Sequence, residues 1–173
     1  MDAVKLEGGR ERLDAVQAMV GSGIPVLGHL GLTPQSVNQL GGFKAQGKLA
    51  NDAERILTDA LALEDAGCFG IVLESVPSRL AEYISGRLTI PTIGIGAGPG
   101  CDGQVLVTHD LLGLFDQFTP KFVKQYKVLH QDILQALQAY QSDVLSGQFP
   151  EEEHSFFMSD QEWKKFLDVV GDS

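Results

Sequence analysis

Four side chains stand at or next to predicted strand ends and are of types that could perform acid–base chemistry. Lys5 and Glu7 lie two residues apart in an alternating stretch, so they share one face of a strand. His29 follows an apolar run and is flanked by glycines, and Glu74 closes another apolar run. Open α/β sheets and barrels carry their chemistry at the carboxyl ends of their strands. A carboxylate in such a position could serve as a general base.

Each of these residues also has an ordinary structural alternative. Lys5 and Glu7 could be solvated charges on an edge strand. His29 could be a buried histidine whose ring is satisfied by backbone groups. Glu74 could be a rim carboxylate in contact with water, because burying it unpaired would cost several kcal/mol. The residues alone leave these alternatives open.

Composition limits the class of protein. A chain of 173 residues suits one domain with a sizeable core, and its net charge of −10 repels the phosphates of a nucleic acid. No apolar run is long enough to span a membrane, and the first residues do not have the pattern of a secretory signal. The two cysteines are too few for a disulfide framework. We therefore expect a cytoplasmic protein that binds neither nucleic acid nor membranes.

Strand and helix patterns alternate along the chain with short connections. Strands are predicted at 3–7, 24–27, 69–76, 90–96 and 103–107. Helices are predicted at 9–21, from near Thr33, and at 51–66, 77–86, 120–146 and 160–170. This alternation favours an α/β fold with a parallel sheet. We assign residues 1–150 to the main domain and 151–173 to a tail with a short docking helix.

Two glycine-rich stretches resemble nucleotide-binding loops but fail in detail. In Gly42–Lys48 the spacing is that of a phosphate-binding loop, yet Leu49 follows where a serine or threonine would hold magnesium. In Gly94–Gly100, Pro99 occupies the third glycine position of a dinucleotide fingerprint. The glycines of this second stretch allow either a tight turn or the close approach of a ligand to the backbone.

Eight motifs, in order along nearly the whole chain, resemble the ketopantoate hydroxymethyltransferase family. They are VKLEGG at 4–9, GHLGLTPQSVN at 28–38, GGFKAQGK at 41–48, VLESVP at 72–77, IGIGAG at 93–98, CDGQVLV at 101–107, HDLLG at 109–113 and PKFVKQY at 120–126. The tail after Phe156 carries no clear family signal.

The resemblance implies a fold and a reaction. The fold would be that of the (βα)8 TIM-barrel family, with this chain holding a partial barrel of about the last five βα units plus C-terminal helices. The family transfers a hydroxymethyl group from 5,10-methylenetetrahydrofolate to 3-methyl-2-oxobutanoate, giving 2-dehydropantoate for pantothenate and coenzyme A biosynthesis. Magnesium is its cofactor, and the full-length proteins are homo-oligomers.

The resemblance also implies a role for each of the four side chains. Glu74 would be the catalytic base that removes the proton next to the carbonyl. Lys5 would bind the α-keto acid, and His29 would line the substrate site. Glu7 would belong to the metal site, at its outer edge.

The sequence departs from the family at its start. The family's chains begin about three βα units earlier, in a segment that carries the two aspartates that are the main magnesium ligands. Asp102 and Asp110 are interpreted as turn or rim residues and do not replace them. Two expectations follow. One is an enzyme that is inactive as this chain alone and acts after pairing with a missing half, or whose true chain starts earlier and is longer. The other is a non-catalytic fragment that at most associates with full-length subunits.

Overall fold

The fold is built on a five-stranded parallel sheet whose strands lie in chain order. The computed structural model describes residues 2–34 and 45–171. The strands are β1 Val4–Glu7, β2 Val26–Gly31, β3 Gly70–Glu74, β4 Thr92–Ile95 and β5 Gly103–Gln104. A parallel α/β sheet, as predicted from the alternation of patterns, is thereby confirmed.

Helices connect the strands and follow the sheet. They are α1 Leu13–Gly21, α2 Ala50–Asp65, α3 Ser78–Ser85, α4 Thr108–Leu111, α5 His130–Ser146 and α6 Asp160–Val170. A 3-10 turn at Arg10–Arg12 precedes α1, and another lies at Glu152–His154. The helix predicted to start near Thr33 falls mainly on residues 35–44, which lie outside the described residues.

The hydrophobic core lies between one face of the sheet and the first three helices. Register pairing places Val26 beside Val4, and Leu30 beside Leu73, so these apolar side chains share a face. They pack with buried side chains from α1, α2 and α3, namely Val16, Ile56, Ala60, Leu63, Ala81 and Ile84. The helices therefore cover the face of the sheet that the alternating residues of β1 predicted.

Two sequence predictions at the end of the sheet were wrong in extent. The strand predicted at 103–107 is only two residues long, although the Val105 N–H still donates to the Gly94 carbonyl at 3.0 Å. The helix predicted to begin at Pro120 begins at His130. The Tyr126 N–H donates to the carbonyl of Leu111 at 2.9 Å, a long-range hydrogen bond that takes the backbone away from helical pairing.

The contacts divide the chain into two compact units, Met1–Tyr126 and Lys127–Ser173. The first unit contains the sheet, and the second contains α5 and α6. The docking of the C-terminal helix stays a prediction, as does the domain boundary at residue 150. Within residues 2–34 and 45–171, no helix is long and apolar enough to cross a lipid bilayer.

A polar clamp holds the amino end of β4. The carboxylate of Asp102 accepts hydrogen bonds from the Thr92 N–H at 2.8 Å and from the Thr92 hydroxyl at 2.9 Å. The backbone hydrogen bond from Thr92, followed by that from its hydroxyl, lowers the pKa of Asp102 below its usual value. Thr92 is fully buried, so removal of the carboxylate leaves its backbone N–H and hydroxyl without this partner.

We expect Asp102→Ala to lower the free energy of unfolding by about 1–2 kcal/mol at neutral pH, since two hydrogen bonds to an ionised acceptor are lost. A carboxyl group with a depressed folded-state pKa stabilises the protein above its unfolded pKa, and this contribution is lost as pH falls through the folded value. The difference in the free energy of unfolding between Asp102→Ala and wild type, measured by urea denaturation, should therefore shrink below about pH 4. Asp116→Ala, at an exposed aspartate, is the control. An effect of Asp102→Ala that does not change with pH would contradict this account.

Candidate functional site

The predicted site residues lie on the face of the sheet opposite the helices. Glu7 pairs in register with His29, His29 pairs with Val72, and Glu74 follows two residues later on β3. Paired residues of parallel strands, and residues two apart, point to the same face. Three strands therefore direct Glu7, His29 and Glu74 to one place at the carboxyl end of the sheet.

His29 lies between the two carboxylates. Its Nδ1 is 3.5 Å from Glu7 Oε1, and its Nε2 is 3.1 Å from Glu74 Oε2. The histidine side chain is 1% exposed, and those of Glu7 and Glu74 are 12% and 16% exposed. We call these three residues the Glu7–His29–Glu74 array.

The ring of His29 is close to both carboxylates but is not satisfied by them. Although Nε2 is 3.1 Å from Glu74, neither ring nitrogen has a hydrogen-bond partner among the described residues, because the geometry of these approaches is not that of a hydrogen bond. Leaving a buried polar atom unpaired costs about 1–3 kcal/mol. Of the two alternatives for His29, backbone satisfaction of the ring is therefore not what the structure shows.

The backbone at the carboxyl side of Glu74 is held by three separate segments. The Leu32 N–H donates to the Glu74 carbonyl at 2.8 Å, and the Gln46 N–H donates to the Ser75 carbonyl at 2.9 Å. The Ser75 N–H donates to the Ile95 carbonyl at 2.8 Å. Leu32 and Gln46, which lie on either side of residues 35–44 in the sequence, thus donate to the consecutive carbonyls of Glu74 and Ser75.

Ser75 has a backbone conformation that sequence reasoning missed. Its φ of 52° lies in the left-handed region, and it is the one non-glycine residue with positive φ among residues 2–34 and 45–171. Such a conformation costs about 1–3 kcal/mol and persists where surrounding contacts impose it. Its position directly after Glu74 places this turn at the end of β3. No local pattern in the sequence distinguishes this serine.

Lys5 lies on the same face as the array, two residues before Glu7 on β1. Its side chain is exposed, and no ion pair joins it to another described residue. The structure therefore brings Glu7, His29 and Glu74 together and leaves Lys5 beside them, with its ammonium group not engaged by these carboxylates.

The described residues do not by themselves form a magnesium site. Among residues 2–34 and 45–171 there is no group of three or more histidine, cysteine, aspartate or glutamate side chains arranged to hold a metal ion. Magnesium takes oxygen ligands in octahedral geometry. Glu7 has the right ligand chemistry, but its carboxylate faces the ring of His29.

The glycines at the end of β4 are approached by protein side chains. A Cβ on Gly96, whose φ is 64°, would lie 2.8 Å from the ring of Phe122. A Cβ on Gly98 would overlap the side chain of Ser78. The structure shows turns that pack closely against side chains, and Gly96 and Gly98 also line a cavity, so both alternatives for this glycine-rich stretch stay open.

Comparisons with known proteins agree with the resemblance in the motifs. The sequence profile described as Ketopantoate hydroxymethyltransferase matches residues 1–152. A 3-methyl-2-oxobutanoate hydroxymethyltransferase of Moorella thermoacetica is 60% identical over 155 residues, which are 90% of this chain and 58% of that protein. Proteins of the same name from Oleidesulfovibrio alaskensis and Syntrophobacter fumaroxidans are 56% and 58% identical, over 97% and 94% of this chain. The chain spans 58% of the length of each of these curated relatives.

Proposed function

Because the chain belongs to the ketopantoate hydroxymethyltransferase family, we propose that it carries the proton-abstracting part of a hydroxymethyl transfer. The substrate would be 3-methyl-2-oxobutanoate, the one-carbon donor 5,10-methylenetetrahydrofolate and the product 2-dehydropantoate. The observation that carries this proposal is the Glu7–His29–Glu74 array, in which a buried histidine without hydrogen-bond partners lies 3.1 Å from a mostly buried carboxylate.

Glu74 is the base in this proposal. One of its carboxylate oxygens takes the proton from C3 of the keto acid, and the electrons of that C–H bond move towards the keto oxygen to give an enolate. The enolate carbon then bonds to the methylene carbon of the donor as one of that carbon's two C–N bonds breaks. Water forms the C–O bond as the second C–N bond breaks. The two released nitrogens take the proton held by Glu74 and one proton of the water, so that tetrahydrofolate leaves. A base fixed by three backbone hydrogen bonds on adjacent carbonyl and amide groups is well positioned for this transfer.

Lys5 and His29 bind the keto acid in this proposal. The exposed ammonium of Lys5 has no ion-pair partner among the described residues and can neutralise a substrate carboxylate. One ring nitrogen of His29 can donate to a substrate oxygen beside Glu74. Binding the oxygens of the substrate would remove the cost of leaving the ring unpaired.

Magnesium enters this proposal only through the family. The described residues do not fit a magnesium ion on their own, and no step above depends on one. We propose that Glu7 lies at the outer edge of a metal site. Such a site needs further oxygen ligands beyond those of residues 2–34 and 45–171.

The architecture supports a proposed partial barrel. Parallel strands in chain order, with helices α1 to α3 on one face and the site residues on the other, are what a (βα)8 barrel contains in its wall. By the same family membership we propose a cytoplasmic protein that forms homo-oligomers when full-length.

The alternative function is that of a non-catalytic fragment that associates with full-length subunits. Two observations favour it: the described residues contain no metal-holding group, and β1 and β5 each have a strand on one side only. An unpaired strand edge is a surface on which another chain can pair.

Proton exchange at C3 of 3-methyl-2-oxobutanoate distinguishes these functions. The exchange is followed by NMR in D2O with magnesium, for the chain alone and with the part of the Moorella thermoacetica relative that the match does not cover. We expect exchange to be faster in the mixture than with either component alone, because the added part can bring metal ligands to a base that this chain supplies. No exchange above that of buffer in any sample would contradict the enzyme and support the fragment.

A further inference from the structure

A polar cavity of about 210 Å³ lies at the carboxyl ends of β1 and β2, next to the array. Glu7 lines this cavity and also faces His29 at 3.5 Å, so the cavity and the array share one wall. Arg12 from the turn before α1, and Arg55 from α2, line it together with the buried Thr33. The steps proposed above make no use of these three side chains.

The acidic groups of the cavity are engaged by neighbouring protein groups. Asp59 is 5% exposed and accepts from the Arg10 side chain, with the two charged groups 2.7 Å apart. Glu11 accepts a hydrogen bond from the Gly9 N–H at 3.0 Å. The charge of Asp59 is therefore compensated by Arg10, and the Glu11 carboxylate is hydrogen-bonded within the turn before α1.

The two arginines that line the cavity lack such partners. Neither Arg12 nor Arg55 forms an ion pair with a residue that the structure describes. A guanidinium group presents a planar fork of N–H donors that matches a carboxylate, and two such groups from separate elements can receive two carboxylates or clamp one. The cavity is thus suited to an anionic group that comes from outside the protein.

Size and position narrow the choice of anion. A cavity of about 210 Å³ is smaller than the 300–1,000 Å³ typical of sites for drug-sized molecules, so it suits one end of a longer ligand. Of the two proposed substrates, the keto acid must place its C3 at Glu74, where Lys5 and His29 are available for its oxygens. The folate donor must place its methylene carbon next to C3 of the keto acid. The glutamate of the donor, which has two carboxylates, lies at the opposite end of the donor from this carbon.

We propose that Arg12 and Arg55 bind the glutamate carboxylates of the folate donor in this cavity. The identity of the ligand rests on the proposed function, whereas the anion site rests on the cavity and its two arginines. Glu7 separates the anion site from the base, so the donor would pass along the carboxyl end of β1 with its one-carbon unit towards Glu74.

The test measures binding without turnover, so its outcome does not depend on the proton-exchange experiment. The chain is titrated with p-aminobenzoyl-L-glutamate, which keeps the glutamate end of the donor, and with p-aminobenzoate, which lacks it. Binding is followed by calorimetry for wild type, Arg12→Ala, Arg55→Ala and the control Arg79→Ala, an exposed arginine on α3. Unfolding curves establish that each variant is folded.

We expect saturable binding of the glutamate-bearing probe to wild type and to Arg79→Ala, and a dissociation constant raised by about tenfold or more in each cavity variant. p-Aminobenzoate should bind weakly and equally to all four proteins. The proposal would be overturned if the glutamate-bearing probe did not bind wild type, or if it bound the cavity variants as tightly as wild type. It would also be overturned if Arg79→Ala weakened binding of the probe as much as the cavity variants do. Displacement of the probe by 3-methyl-2-oxobutanoate would also overturn it, since the cavity would then take the keto acid.

Discussion

Replacement of Glu74 by glutamine should slow exchange of the C3 proton of 3-methyl-2-oxobutanoate by about a hundredfold or more in whichever sample shows exchange, because general-base catalysis contributes about 10²–10⁴-fold. Glutamine has nearly the shape of glutamate but cannot accept the proton. The contacts that hold this position are backbone hydrogen bonds from Leu32 and Ser75, which do not depend on the side chain. The substitution therefore removes the base and leaves the turn in place.

The matched control is Glu54→Gln, which changes an exposed glutamate of α2 in the same way. Exchange should be unaffected in this variant. Binding of the keto acid, measured separately by titration, should change little in Glu74→Gln, because Lys5 and His29 are the proposed binding groups. Exchange at the wild-type rate in Glu74→Gln would remove Glu74 from the role of base and leave the array without an assigned reaction.

Replacement of Gly31 by alanine should have the largest effect on stability. Gly31 has a φ of 93°, which disfavours any residue with a side chain, and a Cβ there would overlap the carbonyl oxygen of Glu74. Because that oxygen belongs to the backbone of β3, it cannot move without displacing the strand. We expect a loss of about 3 kcal/mol or more in the free energy of unfolding.

Gly23→Ala separates the cost of the backbone conformation from the cost of the overlap. Gly23 has a similar φ of 80°, but a Cβ there would meet no heavy atom within 4 Å. This control should lose only about 1–2 kcal/mol, the ordinary cost of a left-handed alanine. Both are measured by urea denaturation. Equal losses in the two variants would contradict this account, because contact with Glu74 would then contribute nothing at Gly31.

Local patterns in the sequence determined much of the sheet and its chemistry. The apolar run ending at Glu74 predicted a buried strand closed by a carboxylate, and the alternation in Val4–Glu7 predicted which residues face the helices. Both follow from the period of two along a strand, which depends on neighbours in the chain. The motifs also indicated the family, since side-chain identities at fixed spacings are present in the sequence itself.

Only the tertiary structure decided how those residues meet. Strand register places Glu7 beside His29, and the backbone hydrogen bonds from Leu32 and Gln46 hold the turn at Ser75. Segments that lie far apart in the sequence make these contacts. The same is true of the late start of α5, where the hydrogen bond from Tyr126 to Leu111 overrides a helical pattern. Hydrophobic periodicity describes which face of an element is buried, but pairing between distant segments is settled by the free energy of the whole fold.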